Sequence, residues 1–231
     1  MKNRIQILSI LLLIALTALT ACGTKPVNNP VNNPTGVVPN SLQTIEAAAE
    51  DIIDSAPSGN WDKINTDVTD IADAWKTYQT QAGKDGASQE LQDAMTSAVA
   101  KLNTASGKKD AAATMQASND VSAAVVEMFA LYNPKIPADI GRLDVLERQV
   151  ILDVAAQDYS AAMTSLAHTK SVWEEVKPSV LEHNGKEVAA QFEASLDAQE
   201  SALGAKDDAA LTKEAKDGLE LEIVDALEQL Y

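Results

Sequence analysis

The sequence predicts an all-α protein: two tandem, antiparallel helical-bundle modules that follow a signal peptide and a linker rich in proline and asparagine. Three observations support this prediction. From residue 41 onward, alanine, leucine and acidic residues dominate the sequence, which is a helical composition. Apolar residues recur at steps of three and four. A shift of the chain by 97 to 99 residues superposes apolar and aromatic positions, as an internal repeat does.

Residues 1–21 have the features of a secretory signal peptide. Lys2 and Arg4 precede an almost wholly apolar run, 5–19, and small residues follow before Cys22. The run is shorter than the roughly 20 residues that a membrane-spanning helix needs. The segment Leu19-Thr20-Ala21-Cys22 resembles a bacterial lipobox, and Cys22 is the sole cysteine of the chain.

The resemblance to the lipobox class implies cleavage before Cys22 and attachment of lipid to this cysteine. Such cysteines carry a diacylglyceryl group with acyl chains such as palmitate, and two chains anchor a protein stably where one does so marginally. The protein is therefore expected to be extracytoplasmic and held on the bacterial membrane. Removal of Lys2 and Arg4 with the signal takes the formal charge from −16 to −18. The alternative is an ordinary secretion signal with an incidental cysteine.

Residues 22–40 are predicted to be the lipidated cysteine and a disordered tether. The segment Val-Asn-Asn-Pro occurs twice, and the tether contains four prolines: Pro26, Pro30, Pro34 and Pro39. Proline interrupts helices and strand ladders, so the segment is expected to be extended and partly stiff. It would hold the folded part of the protein away from the membrane.

The rest of the chain is predicted to be one helical unit written twice, as residues 41–133 and 139–231. A shift of 98 aligns Trp61 with Tyr159 and Trp75 with Trp173. Shifts of 97 and 99 align two further sets: Gly107, Lys109 and Asp110 with Gly204, Lys206 and Asp207, and Leu131-Tyr132 with Leu230-Tyr231. The matched aromatic residues and turns favour a duplication.

In the first repeat, Pro57-Ser58-Gly59 is predicted to interrupt the helical pattern. A helix with a narrow apolar stripe follows, formed by Trp61, Ile64, Val68, Ile71, Trp75 and Tyr78. The next helix is predicted over residues 88–106, with Gly107 as its left-handed cap. Asp110 is expected to cap the helix after it.

The second repeat keeps the spacing of the stripe but is less apolar: Tyr159, Ala162, Leu166, Thr169, Trp173 and Val176. Since residues 155–157 contain no helix breaker, one long helix is predicted from about 139 to 177, with Asp139 as its N-cap. Gly204 with Asp207 or Asp208 is expected to repeat the capped turn, and each repeat to end its last helix at Leu-Tyr. The connector 133–137 is short and holds two prolines, so the repeats are expected to touch.

Several function classes are excluded or disfavoured by composition and motifs. A pI near 4.4 disfavours nucleic acid, which needs a basic surface. A single cysteine excludes an internal disulfide framework. The chain has no glycine-rich phosphate loop, no G-x-S-x-G and no H-E-x-x-H. We therefore predict that the protein is not an enzyme, and we assign it no catalytic residue, metal ligand or cofactor.

The two histidines and the acidic residues leave a metal role open. Glu175 lies seven residues after His168, and Glu187 lies four after His183, a spacing that can bring imidazole and carboxylate together. The densest acidic positions are Glu174-Glu175, Asp207-Asp208 and Glu220 with Glu222. The alternative is that these side chains are solvated or cap helices, and that the charge serves solubility.

The aromatic residues and the two arginines of the mature chain each have two interpretations. The tryptophans and tyrosines at heptad spacing are core anchors or lie in a groove between the repeats. Arg142 and Arg148 form salt bridges between the repeats or an anion site. Asp144, four residues before Arg148, makes a favourable helical pair with it.

The sequence as a whole predicts a lipid-anchored, non-catalytic binding or scaffold protein of the bacterial cell envelope. Its expected partners are the membrane, through Cys22, and a protein or envelope polymer. The alternative is a metal-handling lipoprotein that binds a divalent cation through carboxylates and histidine. A binding protein should show an exposed apolar or aromatic groove where the repeats meet, whereas a metal protein should bring carboxylates and a histidine together.

Overall fold

The computed structural model describes residues 36–220 and 223–231, which are helical and contain no strand. The all-α prediction is therefore confirmed. The predicted signal peptide, Cys22 and most of the predicted tether lie outside the described residues. The helices are α1 (Asn40–Ser55), α2 (Trp61–Ala82), α3 (Gln89–Gly107), α4 (Ala111–Phe129), α5 (Ala138–Ala155), α6 (Tyr159–Glu182), α7 (Lys186–Ala205), α8 (Asp208–Glu220) and α9 (Ile223–Glu228).

The helices form two four-helix bundles, each around its own apolar core. In the first bundle α1 packs against α2 and α4, and α3 packs against the same two helices. The second bundle repeats this ring with α5, α6, α7 and α8, and α9 packs onto it. The core of the first bundle lies within residues 38–132 and that of the second within 140–227. Helices α4 and α5 pack together and join the bundles.

The two apolar stripes predicted from the spacing lie in these cores. Ile64, Ile71 and Tyr78 are fully buried in the first bundle, and Trp61 packs at its edge. In the second bundle Ala162, Leu166, Thr169, Trp173 and Val176 are buried. Burial of these stripes removes apolar surface from water, which is the main force that assembles such bundles.

The joint after the first helix of each bundle corrects one prediction. The first joint is as expected: a 3-10 turn (Ala56–Ser58) is followed by Gly59 with φ of 68°. The single helix predicted over 139–177 is wrong, because α5 ends at Ala155 and α6 begins at Tyr159. Gln157 adopts φ of 60°, and the Asp158 side chain accepts a hydrogen bond from the Ala161 amide at 3.0 Å. Packing of α6 back on α5 holds this turn without a glycine or proline.

Three smaller corrections concern helix ends. Asp110 and Asp207 cap α4 and α8 as predicted, but the left-handed residues of these turns are Lys109 (φ 55°) and Lys206 (φ 52°), not Gly107 and Gly204, which end or lie within helices. Asp139 is not an N-cap, because Pro137 precedes α5 and Asp139 lies in its first turn. The last helix of the second repeat ends at Glu228, three residues before Tyr231.

Candidate functional site

A groove of about 1220 Å³ lies between the two bundles. Its walls come from α1, α4 and α5, with further residues from α8, α9 and the connector. Apolar side chains make up much of the lining: Val37, Val38, Ile53, Met115, Val126, Phe129, Ile136, Ile151, Leu152 and Val224. The groove lies where the sequence predicted that a binding protein would have one.

The two walls of the groove carry positions that the 98-residue shift matches. Under the 98-residue shift, Ile53 of α1 corresponds to Ile151 of α5, and both line the groove. In the same shift Glu46 corresponds to Asp144, and Glu50 to Arg148. The first helices of the bundles therefore present the same face to each other, as the two halves of an isologous interface do.

The groove closes on one side only. Helix α4 of the first bundle packs closely on α5, and Gly141 of α5 permits this approach, since a Cβ there would lie 3.1 Å from a methyl carbon of Val126. Among the described residues, the corresponding pair α8 and α1 does not pack in this way. This difference between the two sides leaves the groove open.

Polar side chains fix α4 against α5 beside the groove. Gln116 and Gln149 exchange hydrogen bonds of 2.9 and 3.0 Å, and Asn119 donates to the Val145 carbonyl at 3.1 Å. Gln149 also donates to Asp153 at 2.8 Å. Each partner is half-buried or buried, and these hydrogen bonds favour one packing arrangement of α4 on α5, although Oδ1 of Asn119 is buried without a partner.

The arginines bind carboxylates across the junction, which confirms a salt-bridge patch between the repeats. Arg142 of α5 makes two hydrogen bonds with Glu127 of α4, at 2.6 and 2.9 Å, and it also contacts Asp139. Glu127 holds the pKa of Arg142 above its ordinary value. Arg148 binds Glu50 of α1 at 3.0 Å. Both arginines therefore join the two bundles.

A group of charged residues lies in the groove around Arg148. Arg148 binds Asp144 of its own helix at 2.6 Å and Glu50 across the groove. One carboxylate oxygen each of Glu46, Glu50 and Asp144 lies within 4.8 Å of the others. We call these three residues with Arg148 the groove cluster.

Glu46 is the member of the groove cluster whose carboxyl group is least satisfied. Its Oε2 is shielded from solvent and has no hydrogen-bond partner, and Nη1 of Arg148 is in the same condition. Burial raises the pKa of Glu46 to about 8, and the negative charges of Glu50 and Asp144 add to this rise. Arg148 and the hydroxyl of Ser122 act in the opposite direction.

Neither histidine belongs to the group of carboxylates that could share a metal ion in the described residues. His168 is exposed on α6. His183 follows the end of α6, where its Nδ1 lies 2.9 Å from the Ser179 carbonyl and its ring contacts that of Tyr231. Glu187 lies on the next helix, beyond Gly185, so the spacing of four is not helical. Among the described residues, the carboxylates suited to a metal include no histidine neighbour.

The aromatic stripe belongs to the cores and not to the groove. Trp75 donates through Nε1 to Thr96 at 3.2 Å, and Trp173 donates in the same way to Glu193 at 3.3 Å. Both tryptophans are buried, which confirms the core interpretation. The aromatic residues that do line the groove are Phe129, which ends α4, and Tyr231, which follows α9.

Two of the acidic pairs singled out in the sequence lie away from the groove. Glu174 and Glu175 are exposed on α6, and Asp207 and Asp208 are exposed at the start of α8. Nothing is described of the Glu220 and Glu222 side chains. Glu46 and Glu50 were missed because a helical pair of glutamates is common. Their correspondence to Asp144 and Arg148 under the 98-residue shift was the signal that could have found them.

Comparison of the chain with protein-family models, curated proteins and solved structures found no match. Within the described part of the chain, no helix is both long and apolar enough to cross a bilayer.

Proposed function

We propose that this protein is a lipid-anchored, extracytoplasmic binding protein of the bacterial cell envelope, and that its groove holds an extended, basic segment of a partner protein. The proposed role is binding and not catalysis. The observation that carries it is the groove between the bundles, whose walls are apolar and whose charge is predominantly acidic. Cys22 would hold the protein on the membrane.

The dimensions of the groove favour a polymer segment over a small molecule. Its volume of about 1220 Å³ exceeds the roughly 300–1,000 Å³ of most small-molecule pockets. The part of α1 that lines it runs from Gln43 to Asp54 and is about 17 Å long at 1.5 Å per residue. An extended peptide of about five residues spans that length.

The charge and exposed apolar side chains of the groove define the chemistry of the partner. Five carboxyl residues and two cationic residues line it: Glu46, Glu50, Asp54, Asp144 and Glu228, with Lys135 and Arg148. Val37 and Ile136 are two of the four large apolar side chains exposed in the described residues, and both lie here. A segment that alternates apolar and basic side chains complements these walls.

The position of the groove relative to Cys22 limits where the partner binds. Gly36, at the start of the described chain, lines the groove and is 14 residues from Cys22. A fully extended chain of that length reaches at most about 50 Å. The partner segment would therefore bind within that distance of the membrane surface.

The anchor is tested by the variant Cys22→Ser. We expect the native chain to fractionate with membranes and to incorporate labelled palmitate, and the variant to do neither. Acylation at Cys22 adds the apolar area that holds a protein in a bilayer. A native chain that takes up no label, or a variant that stays in the membrane fraction, would contradict the lipoprotein assignment.

The groove is tested with a fluorescent ten-residue peptide that alternates valine and lysine, and with its valine–glutamate counterpart. In EDTA, we expect the lysine peptide to bind the protein and the glutamate peptide not to bind. Ile53→Trp and Ile151→Trp should each weaken binding by filling the groove. Met163→Trp, on an exposed site of α6, is the matched control and should leave binding unchanged. Equal binding by all three variants would assign the attraction to net charge alone and overturn the proposal.

A further inference from the structure

The groove cluster joins two segments far apart in the chain. Glu46 and Glu50 are one turn apart on α1 of the first bundle, and Asp144 is on α5 of the second. One oxygen from each lies within 4.8 Å of the other two. In the described part of the chain, this is the group of carboxylates close enough to share one metal ion.

A second observation is that one carboxylate oxygen of the cluster is enclosed without a hydrogen-bond partner. Arg148 satisfies Glu50 and Asp144, but Oε2 of Glu46 is enclosed and has no hydrogen-bond partner. A buried carboxylate oxygen without a partner is costly. Glu46 therefore needs a proton or a cation at this position.

The charge of the groove cluster matches a divalent cation. Three carboxylates and one guanidinium leave a charge of −2 when all are ionised. A proton on Glu46 would reduce this to −1, whereas a divalent ion would neutralise it. A cation bound here would also replace the mutual repulsion of Glu46, Glu50 and Asp144 by attraction to a shared centre.

The ligand atoms identify the class of ion. All three are carboxylate oxygens, which suit hard cations better than soft transition metals. Ca²⁺ binds oxygens at about 2.3–2.6 Å, so two oxygens on opposite sides of one ion lie about 4.6–5.2 Å apart. Mg²⁺ requires a tighter and nearly ideal octahedron, whereas Ca²⁺ tolerates an irregular shell completed by water.

We propose that Glu46, Glu50 and Asp144 bind one calcium ion, which ties α1 of the first bundle to α5 of the second. Arg148 keeps Glu50 and Asp144 in place on the open side of the junction. The calcium site shares the groove with the proposed peptide site, but it depends neither on the peptide nor on either histidine. Calcium would thus strengthen the side of the junction that α1 and α8 leave open.

The first measurement is calorimetric titration of calcium chloride into the full-length protein in detergent, after removal of metals with EDTA. We expect one site per chain and a melting temperature that rises by several degrees at a hundredfold excess of calcium over Kd. Glu46→Gln and Asp144→Asn should each weaken binding about tenfold or more, because the charge count of the ligands sets affinity.

Matched controls separate ligation from general charge. Asp54→Asn removes one carboxylate from the same helix outside the groove cluster and should leave the calcium affinity within about twofold of the native value. His168→Ala and His183→Ala should also bind as the native protein does. Cooperative melting of each variant in EDTA shows that it is folded.

Two results would overturn the calcium site: no binding at millimolar calcium, or loss of affinity in Asp54→Asn as large as in Glu46→Gln. Neither result affects the test of peptide binding, because the peptide is titrated in EDTA without calcium. Conversely, a calcium site that survives when the valine–lysine peptide fails to bind would leave this inference standing and remove the proposed function.

Discussion

The two bundles share a topology but differ in the chemistry of their interiors. At three pairs of positions matched by shifts of 98 or 97, an apolar residue of the first bundle corresponds to a polar residue of the second: Ala49 to Glu147, Ile71 to Thr169, and Leu102 to Gln199. All six are fully buried. The same helical frame therefore accepts polar side chains in its interior.

Glu147 and Gln199 show how the second bundle satisfies its polar interior. Nε2 of Gln199 donates to Oε2 of Glu147 at 2.9 Å, whereas Oε1 of each side chain is buried without a partner. A protonated Glu147 can donate from Oε1 to Oε1 of Gln199, which pairs both orphaned atoms at once. Burial raises the pKa of Glu147 to about 8, so the neutral acid prevails at neutral pH.

The largest expected effect comes from giving the first bundle a buried glutamine at the position that matches Gln199 of the second. Leu102→Gln should destabilise the protein by about 3 kcal/mol or more, because the amide is buried in an apolar core without a partner and apolar contacts are lost. The free energy of unfolding from denaturant titration measures this. Hydrogen exchange with mass spectrometry should locate the loss in the first bundle.

The reciprocal replacement is the control for this comparison. The double variant Glu147→Ala, Gln199→Leu gives the second bundle the residues of the first. Replacing a buried polar pair together is often neutral or stabilising. If the double variant is destabilised as much as Leu102→Gln, the two interiors are not interchangeable and the positional match is misleading.

The second expected effect is on the pH dependence of stability. Since the pKa of Glu147 is about 8 in the folded protein and 4.5 as its ordinary value, the folded state binds more protons between these values. Glu147 therefore makes stability fall as pH rises from about 4.5 to 8, by at most about 1.4 kcal/mol per pH unit.

Glu147→Gln should remove this contribution, because glutamine can exchange two hydrogen bonds with Gln199 and does not titrate. Denaturant titrations of both proteins between pH 5 and 9 give the comparison. Asp144, whose charge also raises the pKa of Glu147, and Glu46 are unchanged in this variant. Parallel pH curves for the two proteins would show that Glu147 is not protonated on folding.

The smallest expected effect concerns one turn that the bundles build differently. Ser88 caps α3 by accepting from the Leu91 amide at 3.2 Å, whereas the matched Gly185 begins α7. A Cβ at Gly185 would lie 2.5 Å from carbons of Val180 and Leu230, and 2.8 Å from the Val180 carbonyl oxygen. Gly185→Ala should cost about 1–3 kcal/mol, and Ser88→Ala about 1 kcal/mol.

Melting temperatures of the two alanine variants provide the measurement. Ser88→Gly serves as the matched change in the first bundle and should cost only a few tenths of a kcal/mol. A Gly185→Ala protein that melts like the native one would mean that Leu230 and Val180 move aside easily, and that this end of the second bundle is loosely packed.

Local patterns in the sequence predicted the parts of the structure that depend on neighbouring residues. The apolar stripes, the break at Pro57-Ser58-Gly59 and the caps at Asp110 and Asp207 were all predicted. Each follows from helical periodicity or from a side chain that bonds a backbone group three residues away. The turn at Gln157 was missed, because an ordinary residue adopts a left-handed conformation there under the constraint of packing.

The sequence by itself determined that the chain is helical, that it carries two units of similar pattern, and that arginines occur where the units meet. Only the tertiary structure decided that Glu46 and Glu50 face Asp144, and that Glu147 pairs with Gln199. The physical reason is the range of the interactions. Periodicity and capping act within a few residues, whereas a buried carboxyl group acquires its partners, charge and pKa from helices distant in the chain.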